Sequence, residues 1–324
     1  MESTTMTLAP TDQPSHVRLP LLAQLYTTPD DPTPQLQAVA ACLEDVDDSV
    51  RQMAMLVLER CGSVGVAPLE ALLAQDRPVQ TRAAAAAILG RMGGIAAPAV
   101  PALGRCLEAG DDTLRTNASF ALGRLGTQAV PELQRLLGSS DGKVKIAALE
   151  ALGCIGPAAQ IADAGIRRLL TDDDPLVHLA CAGCLAQING EDPEGLPRLR
   201  AALTRSEAQV RATAVQRIGE LTGKAVAAAP ELIRCLGDEA AQVRAAAALA
   251  LARVKPDAVE AVPVLINLLG DPDPDVTINA AMALGTIGPP ASAALEPLKT
   301  LQSHADRRVA QMAAAALARI APKS

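Results

Sequence analysis

The sequence predicts an all-α fold, a right-handed solenoid of about nine helix-hairpin repeats. One pattern of residues returns about every 33 positions, each copy carries an apolar stripe with helical spacing, and proline and glycine stand at the expected helix ends. A period near 33 residues accommodates two short helices per repeat. Apolar residues make up 49% of the 324 positions but include one Phe, one Tyr and no Trp, so close packing through Ala and Leu is expected.

Each repeat is marked by an anchor residue near the start of its second helix. The anchors are Val50, Thr81, Leu114, Val144, Val177, Val210, Val243, Val276 and Val309. A branched aliphatic residue stands eight positions after every anchor, and Ala, or once Cys181, stands four positions after it. These positions share one face of an α-helix, which is predicted to pack against the first helix of the same repeat.

Proline, aspartate and glycine mark the helix boundaries. Six prolines stand thirteen residues before an anchor and are expected in the first turn of the first helix. Acidic turns such as Asp271 to Asp275 are expected to cap the second helix, although their spacing also resembles the opening of a calcium loop. Glycines that follow the second helices are predicted helix ends: Gly62, Gly93, Gly126, Gly156 and Gly288.

The composition indicates one folded domain. Residues 1–18 are polar and are predicted to form a mobile leader, whereas residues 19–324 are predicted to form a single solenoid with a short N-terminal capping helix at Leu19–Tyr26. The leader lacks the basic and apolar segments of a secretory signal. No apolar stretch reaches the 18 or more residues typical of a transmembrane helix, so membrane insertion is not expected.

A recurring acidic and basic pair supports a family resemblance. Asp stands five residues before the anchor and a basic residue stands one after it in Asp45/Arg51, Asp76/Arg82 and Asp238/Arg244. The repeat resembles the HEAT repeat, specifically the short bacterial kind called phycobilisome-lyase HEAT-like, over about residues 34–322. The resemblance implies that the pairs form a structural ladder between neighbouring repeats. Five repeats keep only one half of the pair, so the ladder is expected to be discontinuous: Asp172, Asp271, Arg115, Lys145 and Arg211.

No catalytic residues or cofactor are predicted. Deoxyhypusine hydroxylase, a HEAT-like enzyme, holds iron with His-Glu dipeptides, and none of the three histidines here precedes Glu. His178, Cys181 and Cys184 stand three residues apart on one helix and form a weak metal-site candidate. Because Cys181 takes a position that is Ala in the other repeats, burial as a small apolar side chain is the favoured interpretation.

The opposite side of the second helix is the predicted binding surface. At 100° per residue, positions 2, 6 and 9 after the anchor lie away from the core face and are expected to line the concave side of the solenoid. Their larger apolar residues are Leu56, Phe120, Ile146, Leu179, Leu249, Ile278 and Met282. Such a stripe suits a helix or an extended peptide of another protein. In the alternative interpretation, these side chains are buried between repeats.

The net charge and the cysteine content bear on the class of partner and on the location of the protein. The formal net charge of −7 disfavours nucleic acid as a partner, and seven scattered cysteines suggest reduced thiols and a cytoplasmic location. We therefore predict a non-catalytic, protein-binding scaffold or assembly factor. The resemblance implies an alternative, a lyase-like or chaperone role in bilin or other tetrapyrrole handling, although the single Tyr and single Phe offer few rings to stack on such a ligand.

Overall fold

The computed structural model describes residues 14–27, 35–254 and 258–321, and these contain helices and turns but no β-strand. The predicted all-α solenoid is confirmed. The chain divides into two compact units, Met1–Arg168 and Leu169–Ser324. In each unit, even-numbered helices are the first helices of repeats and odd-numbered helices are the second. The repeat count and the single predicted domain remain predictions.

The first unit is a stack of helix pairs. Its helices are α1 (Ser15–Thr27), α2 (Leu36–Ala41), α3 (Asp48–Arg60), α4 (Val66–Ala71), α5 (Val79–Met92), α6 (Val100–Glu108), α7 (Asp112–Leu125), α8 (Val130–Leu136), α9 (Gly142–Ile155) and α10 (Asp163–Arg168). The first helices are shorter than the second, and short 3-10 turns join several pairs.

The second unit has the same construction. Its helices are α11 (Pro175–Ile188), α12 (Gly195–Ala202), α13 (Ala208–Glu220), α14 (Ala229–Cys235), α15 (Ala241–Val254), α16 (Val262–Asn267), α17 (Pro274–Ile287), α18 (Leu295–Leu301) and α19 (Arg307–Ile320). In α15, the anchor Val243 is buried together with Ala247 and Leu251, in the core that also contains Leu232 of α14. The anchor face is therefore the core face of this helix.

The helix boundaries follow the predicted chemistry. Six aspartates accept a hydrogen bond from a backbone N–H at the start of a second helix: Asp47, Asp111, Asp141, Asp174, Asp273 and Asp306. Each satisfies a donor that the helix itself leaves unpaired. The five predicted glycine stops have φ between 58° and 73°, a left-handed conformation that side chains with a β-carbon disfavour.

The N-terminal helix begins earlier than predicted. It starts at Ser15 instead of Leu19, whereas residues 1–13 of the predicted leader lie outside the described residues. Helix α1 packs against α3, and Arg18 forms a buried ion pair with Asp45. Val17 and Arg18 stand 33 residues before Val50 and Arg51, so α1 occupies the place of a second helix.

Adjacent second helices approach each other closely at glycine. A β-carbon added to Gly90 in α5 would lie 2.9 Å from the Cα of Ala121 in α7, and one added to Gly285 in α17 would lie 2.9 Å from the Cα of Ala316 in α19. Gly219 faces Ala250 in the same way at 3.0 Å. These glycines stand nine residues after their anchors. Position 9 was predicted to lie on the free surface, but in these repeats it is buried between neighbouring second helices.

The acidic and basic ladder joins consecutive repeats. Arg211 donates two hydrogen bonds of 2.8 Å to the carboxylate of Asp238, and Arg244 donates bonds of 2.8 and 2.9 Å to that of Asp271. Each pair spans 27 residues, as does Arg18 with Asp45. The arginine bonds lower the pKa of both Asp238 and Asp271 below the ordinary value for aspartate. The side chains are largely buried, so the pairs are only weakly screened by solvent.

Within its own repeat, the ladder arginine contacts the backbone. Arg51 donates to the carbonyl oxygen of Asp45 at 2.7 Å, and Arg244 donates to that of Asp238 at 2.9 Å. The predicted pairs Asp45/Arg51 and Asp238/Arg244 are therefore not side-chain ion pairs. Arg244 binds the turn of its own repeat with one nitrogen and Asp271 of the next repeat with the other two. Arg51 instead donates its second bond to Asp48 in the same turn.

The pair Asp76/Arg82 forms no such link. Arg82 donates to the carbonyl oxygen of Leu73 at 3.2 Å, while Asp76 is exposed and is not bonded to Arg82. The residue 27 positions after Arg82 is Ala109, which has no carboxylate. In contrast, Arg211 has no Asp in its own repeat and yet completes the ladder with Asp238.

The glycine contact gives a test of the packing. Gly90→Ala should lower the free energy of unfolding by about 1–3 kcal/mol, because the added methyl group overlaps Ala121. Glycine to alanine inside a helix is ordinarily stabilising by about 1 kcal/mol. Gly183→Ala in α11 is the matched control, because its nearest neighbour would be an ordinary 3.5 Å contact with Arg217. Urea unfolding followed by circular dichroism measures both, and equal stabilisation by the two changes would contradict the packing.

The ladder gives a second test. Arg244→Ala should lower the free energy of unfolding by about 2 kcal/mol, because it removes charge-assisted hydrogen bonds and leaves Asp271 buried. The control is Arg308→Ala, which removes ion pairs with Asp275 and Asp306 made by a side chain that is 62% exposed. Exposed pairs contribute little, so this variant should unfold like the wild type. Equal losses in the two variants would contradict a special role for the ladder.

Candidate protein-binding surface on the second helices

The candidate site is the exposed side of the odd-numbered helices, which we call the second-helix face. In the first unit it is formed by α3, α5, α7 and α9. Gly90 and Gly123 hold α5, α7 and α9 close together, and the ion pair of Glu59 with Arg91 joins α3 to α5, so the exposed side continues from helix to helix. A groove of about 790 Å³ lies between the first helices α2 and α4.

The predicted surface residues differ in how much of each side chain is exposed. In the first unit, Leu56 is 45% exposed and Phe120 is 53% exposed, while Ile146 is half-buried. In the second unit, Leu249, Ile278 and Met282 are half-buried. Leu179 is buried in the core of the second unit and contributes nothing to an exposed surface, so for this residue the alternative interpretation of burial describes the structure.

Leu56 and Phe120 stand on either side of a surface of small residues on α5, and we call Leu56, Phe120 and the small residues between them the apolar strip. The equivalent position on α5 is Ala87, which is half-buried, and the neighbouring Ala84 is also small. The two larger side chains therefore stand on α3 and α7, on either side of an alanine helix.

Arginines stand at the ends of the same three helices. Arg60, Arg91 and Arg124 are exposed and each lies ten residues after its anchor. Arg91 donates a 2.9 Å hydrogen bond to Glu59 on the neighbouring helix, and Arg60 lies over the ring of Tyr26 at 5.2 Å from its centre. Cations suit the C-terminal end of a helix, where the carbonyl groups point outward. Their recurrence ten residues after the anchor is visible in the sequence, where it indicates a helix end first and an anion-binding edge second.

The second unit offers a smaller surface on this side. A shallow pocket of about 210 Å³ lies between α13 and α15, lined in part by Gln216, Leu249 and Arg253. Its largest apolar side chain is half-buried. The exposed large apolar residues of the second-helix face are thus those of the first unit, Leu56 and Phe120.

The weak metal candidate is not assembled as a site. Cys181 and Cys184 are buried among apolar side chains of α11, and His178 is half-buried. In the part of the chain that the structure describes, no group of three or more His, Cys, Asp or Glu side chains could hold a metal ion. The carboxylates that resemble a calcium loop have other bonds, because Asp271 binds Arg244 and Asp273 caps α17.

Two stretches have the length and composition of a transmembrane segment, Val79–Glu108 and Gly142–Thr171. In the structure each is a series of shorter helices that turns at a glycine of positive φ, Gly93 or Gly156. The α-helices described in these stretches have at most 14 residues, fewer than the roughly 20 that a span needs. Neither stretch is a continuous spanning helix in this fold.

Comparison with known proteins agrees with the repeat architecture. A family model for HEAT repeats matches residues 100–164 and 229–318, one stretch in each unit. The match identifies HEAT repeats in these two stretches of the chain. No curated protein matches its sequence.

Three solved structures resemble the chain at low sequence identity, and one of them has a TM-score above 0.5. A crystal structure of a Kap121p mutant is 14% identical, with 93% of this chain and 41% of that chain covered and a TM-score of 0.54, a likeness of fold alone. A crystal structure of an engineered protein is 22% identical, covers 94% of this chain and 95% of its own, and has a TM-score of 0.42. Human deoxyhypusine hydroxylase in complex with glycerol is 23% identical, covers 83% and 99%, and has a TM-score of 0.39.

Cysteine reactivity tests the burial pattern. Burial raises the pKa of the Cys42 and Cys106 thiols and raises that of Cys235 to about 11. Cys154 is exposed on α9. Because the thiolate is the reactive form, a thiol reagent should modify Cys154 first and the buried cysteines only after unfolding. Mass spectrometry of the labelled peptides measures this order, and early labelling of Cys106 or Cys235 in the folded protein would contradict it.

Proposed function

We propose that this protein is a non-catalytic scaffold or assembly factor that holds a segment of another protein, as a helix or an extended peptide, on its second-helix face. HEAT-repeat solenoids generally present extended surfaces to protein partners. The observation that carries the proposal is the exposure of Leu56 and Phe120 on α3 and α7, on a continuous helical surface. Residues of this kind in one apolar strip are characteristic of an interaction site.

Other surface residues support a first-unit site. Ile146 is a half-buried apolar residue on α9, although the position on α9 equivalent to Leu56 and Phe120 holds Glu150. Leu249, Ile278 and Met282 give the second unit a half-buried counterpart. We place the principal contact on Leu56 and Phe120, since a hot spot requires side chains that a partner can bury. The same proposal includes a cytoplasmic location and a repeat of the phycobilisome-lyase-like type. It includes no cofactor, no bound nucleic acid and no membrane insertion.

The tetrapyrrole alternative has less support from the surface. A large flat ligand is ordinarily held by stacking on aromatic rings. The chain has one Phe and one Tyr, and the ring of Tyr26 already lies against Arg60. Phe120 alone is left to stack on such a ligand.

The proposal is tested by substituting the exposed residues of the apolar strip and measuring whether the partner still binds. A variant with Leu56→Glu and Phe120→Glu should no longer enrich a protein that the tagged wild type captures from its native lysate, because both changes place charge in the apolar contact. Quantitative mass spectrometry of the captured proteins measures the enrichment, and circular dichroism checks that the variant is folded.

The matched control is Val46→Glu, which adds charge at a 94% exposed apolar residue in the turn before α3. This variant should capture the same partner as the wild type. If the strip variant also retains the partner, the second-helix face is not the binding surface.

A further inference from the structure

We propose that the partner segment held by the first unit is an acidic peptide with interspersed apolar residues, whose carboxylates pair with Arg60 and Arg124. This inference rests on the proposed function of the second-helix face and specifies the chemistry of its partner. It follows from where the arginines stand relative to Leu56 and Phe120, and from which of them are already neutralised.

The arginines form a row beside the apolar strip. Arg60 stands four residues after Leu56, and Arg124 stands four after Phe120, so each pair shares one side of its helix, one turn apart. Between them, Arg91 stands four residues after Ala87 on α5. A segment that crosses α3, α5 and α7 therefore meets an apolar strip and a parallel row of cations.

The neighbouring helix ends are in contact, which keeps the row together. Arg91 of α5 reaches Glu59 of α3 at 2.9 Å. A β-carbon added to Gly93, just after α5, would lie 3.9 Å from the carbonyl oxygen of Arg124 at the end of α7. With packed helices about 8–10 Å apart, Arg60 and Arg124 stand roughly 16–20 Å from each other.

The charges in the row do not cancel. Glu59 neutralises Arg91, but Arg124 has no hydrogen bond or ion pair to any residue that the structure describes. Arg60 contacts an uncharged ring and keeps its full charge. Two exposed positive charges therefore remain at this edge of a chain whose formal net charge is −7.

Charge complementarity indicates which kind of segment binds to this surface. Carboxylates form charge-assisted hydrogen bonds with the guanidinium groups while apolar side chains cover Leu56 and Phe120. A basic segment would meet like charge at Arg60 and Arg124. In the second unit, Arg253 and Arg319 hold the equivalent positions on α15 and α19, whereas α13 and α17 hold Glu220 and Thr286. The apolar residues beside them, Leu249 and Met282, are half-buried, so the second unit does not combine exposed arginines with exposed large apolar side chains.

Selection of short random peptides displayed on phage against the full-length protein tests the inference. The selected peptides should be enriched in Asp and Glu beside apolar residues. Fluorescence polarisation should show binding weakened about tenfold or more, roughly 1.4 kcal/mol, by Arg60→Glu with Arg124→Glu. Binding should also weaken as salt is raised, because exposed charges are screened.

Two matched controls locate the effect. Arg105→Glu reverses an exposed charge on α6, a first helix of the same unit, and Arg253→Glu reverses the equivalent position on α15 of the second unit. Neither should change the affinity of the selected peptides by more than about twofold, a few tenths of a kcal/mol. Circular dichroism confirms that each variant is folded.

The outcomes separate the inference from the proposed function. Peptides that require Phe120 but lack acidic enrichment and bind the double arginine variant normally would overturn the inference and leave the scaffold proposal intact. A selection that yields no peptide, or only peptides that bind the Phe120→Glu variant equally well, contradicts both. Binding of labelled duplex DNA at about 0.15 M salt that is lost in the double arginine variant would assign the row to nucleic acid and overturn the inference.

Discussion

The close contact between neighbouring second helices is the constraint on which the rest of the structure depends. Gly90 against Ala121 and Gly285 against Ala316 leave no room for another methyl group. Since each contact fixes the distance and register between two repeats, it also aligns Ala87 with Phe120 and Arg91 with Arg124 on α5 and α7. On α3 the ion pair of Glu59 with Arg91 takes the place of the glycine contact and brings Leu56 and Arg60 beside the same helix.

The Arg and Asp ladder reinforces the same neighbour relation from the turn side. Each complete rung binds the guanidinium to the turn of its own repeat and to the carboxylate of the next, as Arg244 does with Asp238 and Asp271. Such a solenoid is stabilised chiefly by nearest-neighbour contacts. Where Ala109 stands at the acceptor position, the rung is absent and packing alone joins the repeats.

The repeat period, the aspartate caps and the glycines at helix ends were predictable from the sequence, because each depends on residues that are close together in the chain. The Asp caps and the glycine stops lie where the sequence predicted them. The ladder between neighbouring repeats was expected, but it was expected to be interrupted at Arg211 and Asp271, where the structure has complete ion pairs. Spacing along the chain does not reveal whether an arginine binds its own turn or the Asp of the next repeat. Burial of Leu179 and of the glycines at position 9 was equally invisible, since both depend on how closely two helices approach. Val17 and Arg18 also match an anchor and the basic residue that follows it, but they lie before Val50, the first predicted anchor.

Site-specific photo-crosslinking tests the central claim most directly, namely that the second-helix face of the first unit holds a partner segment. A benzoyl-phenylalanine introduced in place of Phe120 is irradiated in the native cell, and the same group in place of exposed Arg105 on α6 serves as the control. The account predicts a defined adduct with another protein from position 120 and none of that mass from position 105. An adduct from position 105 alone would contradict it and assign the partner to the first helices.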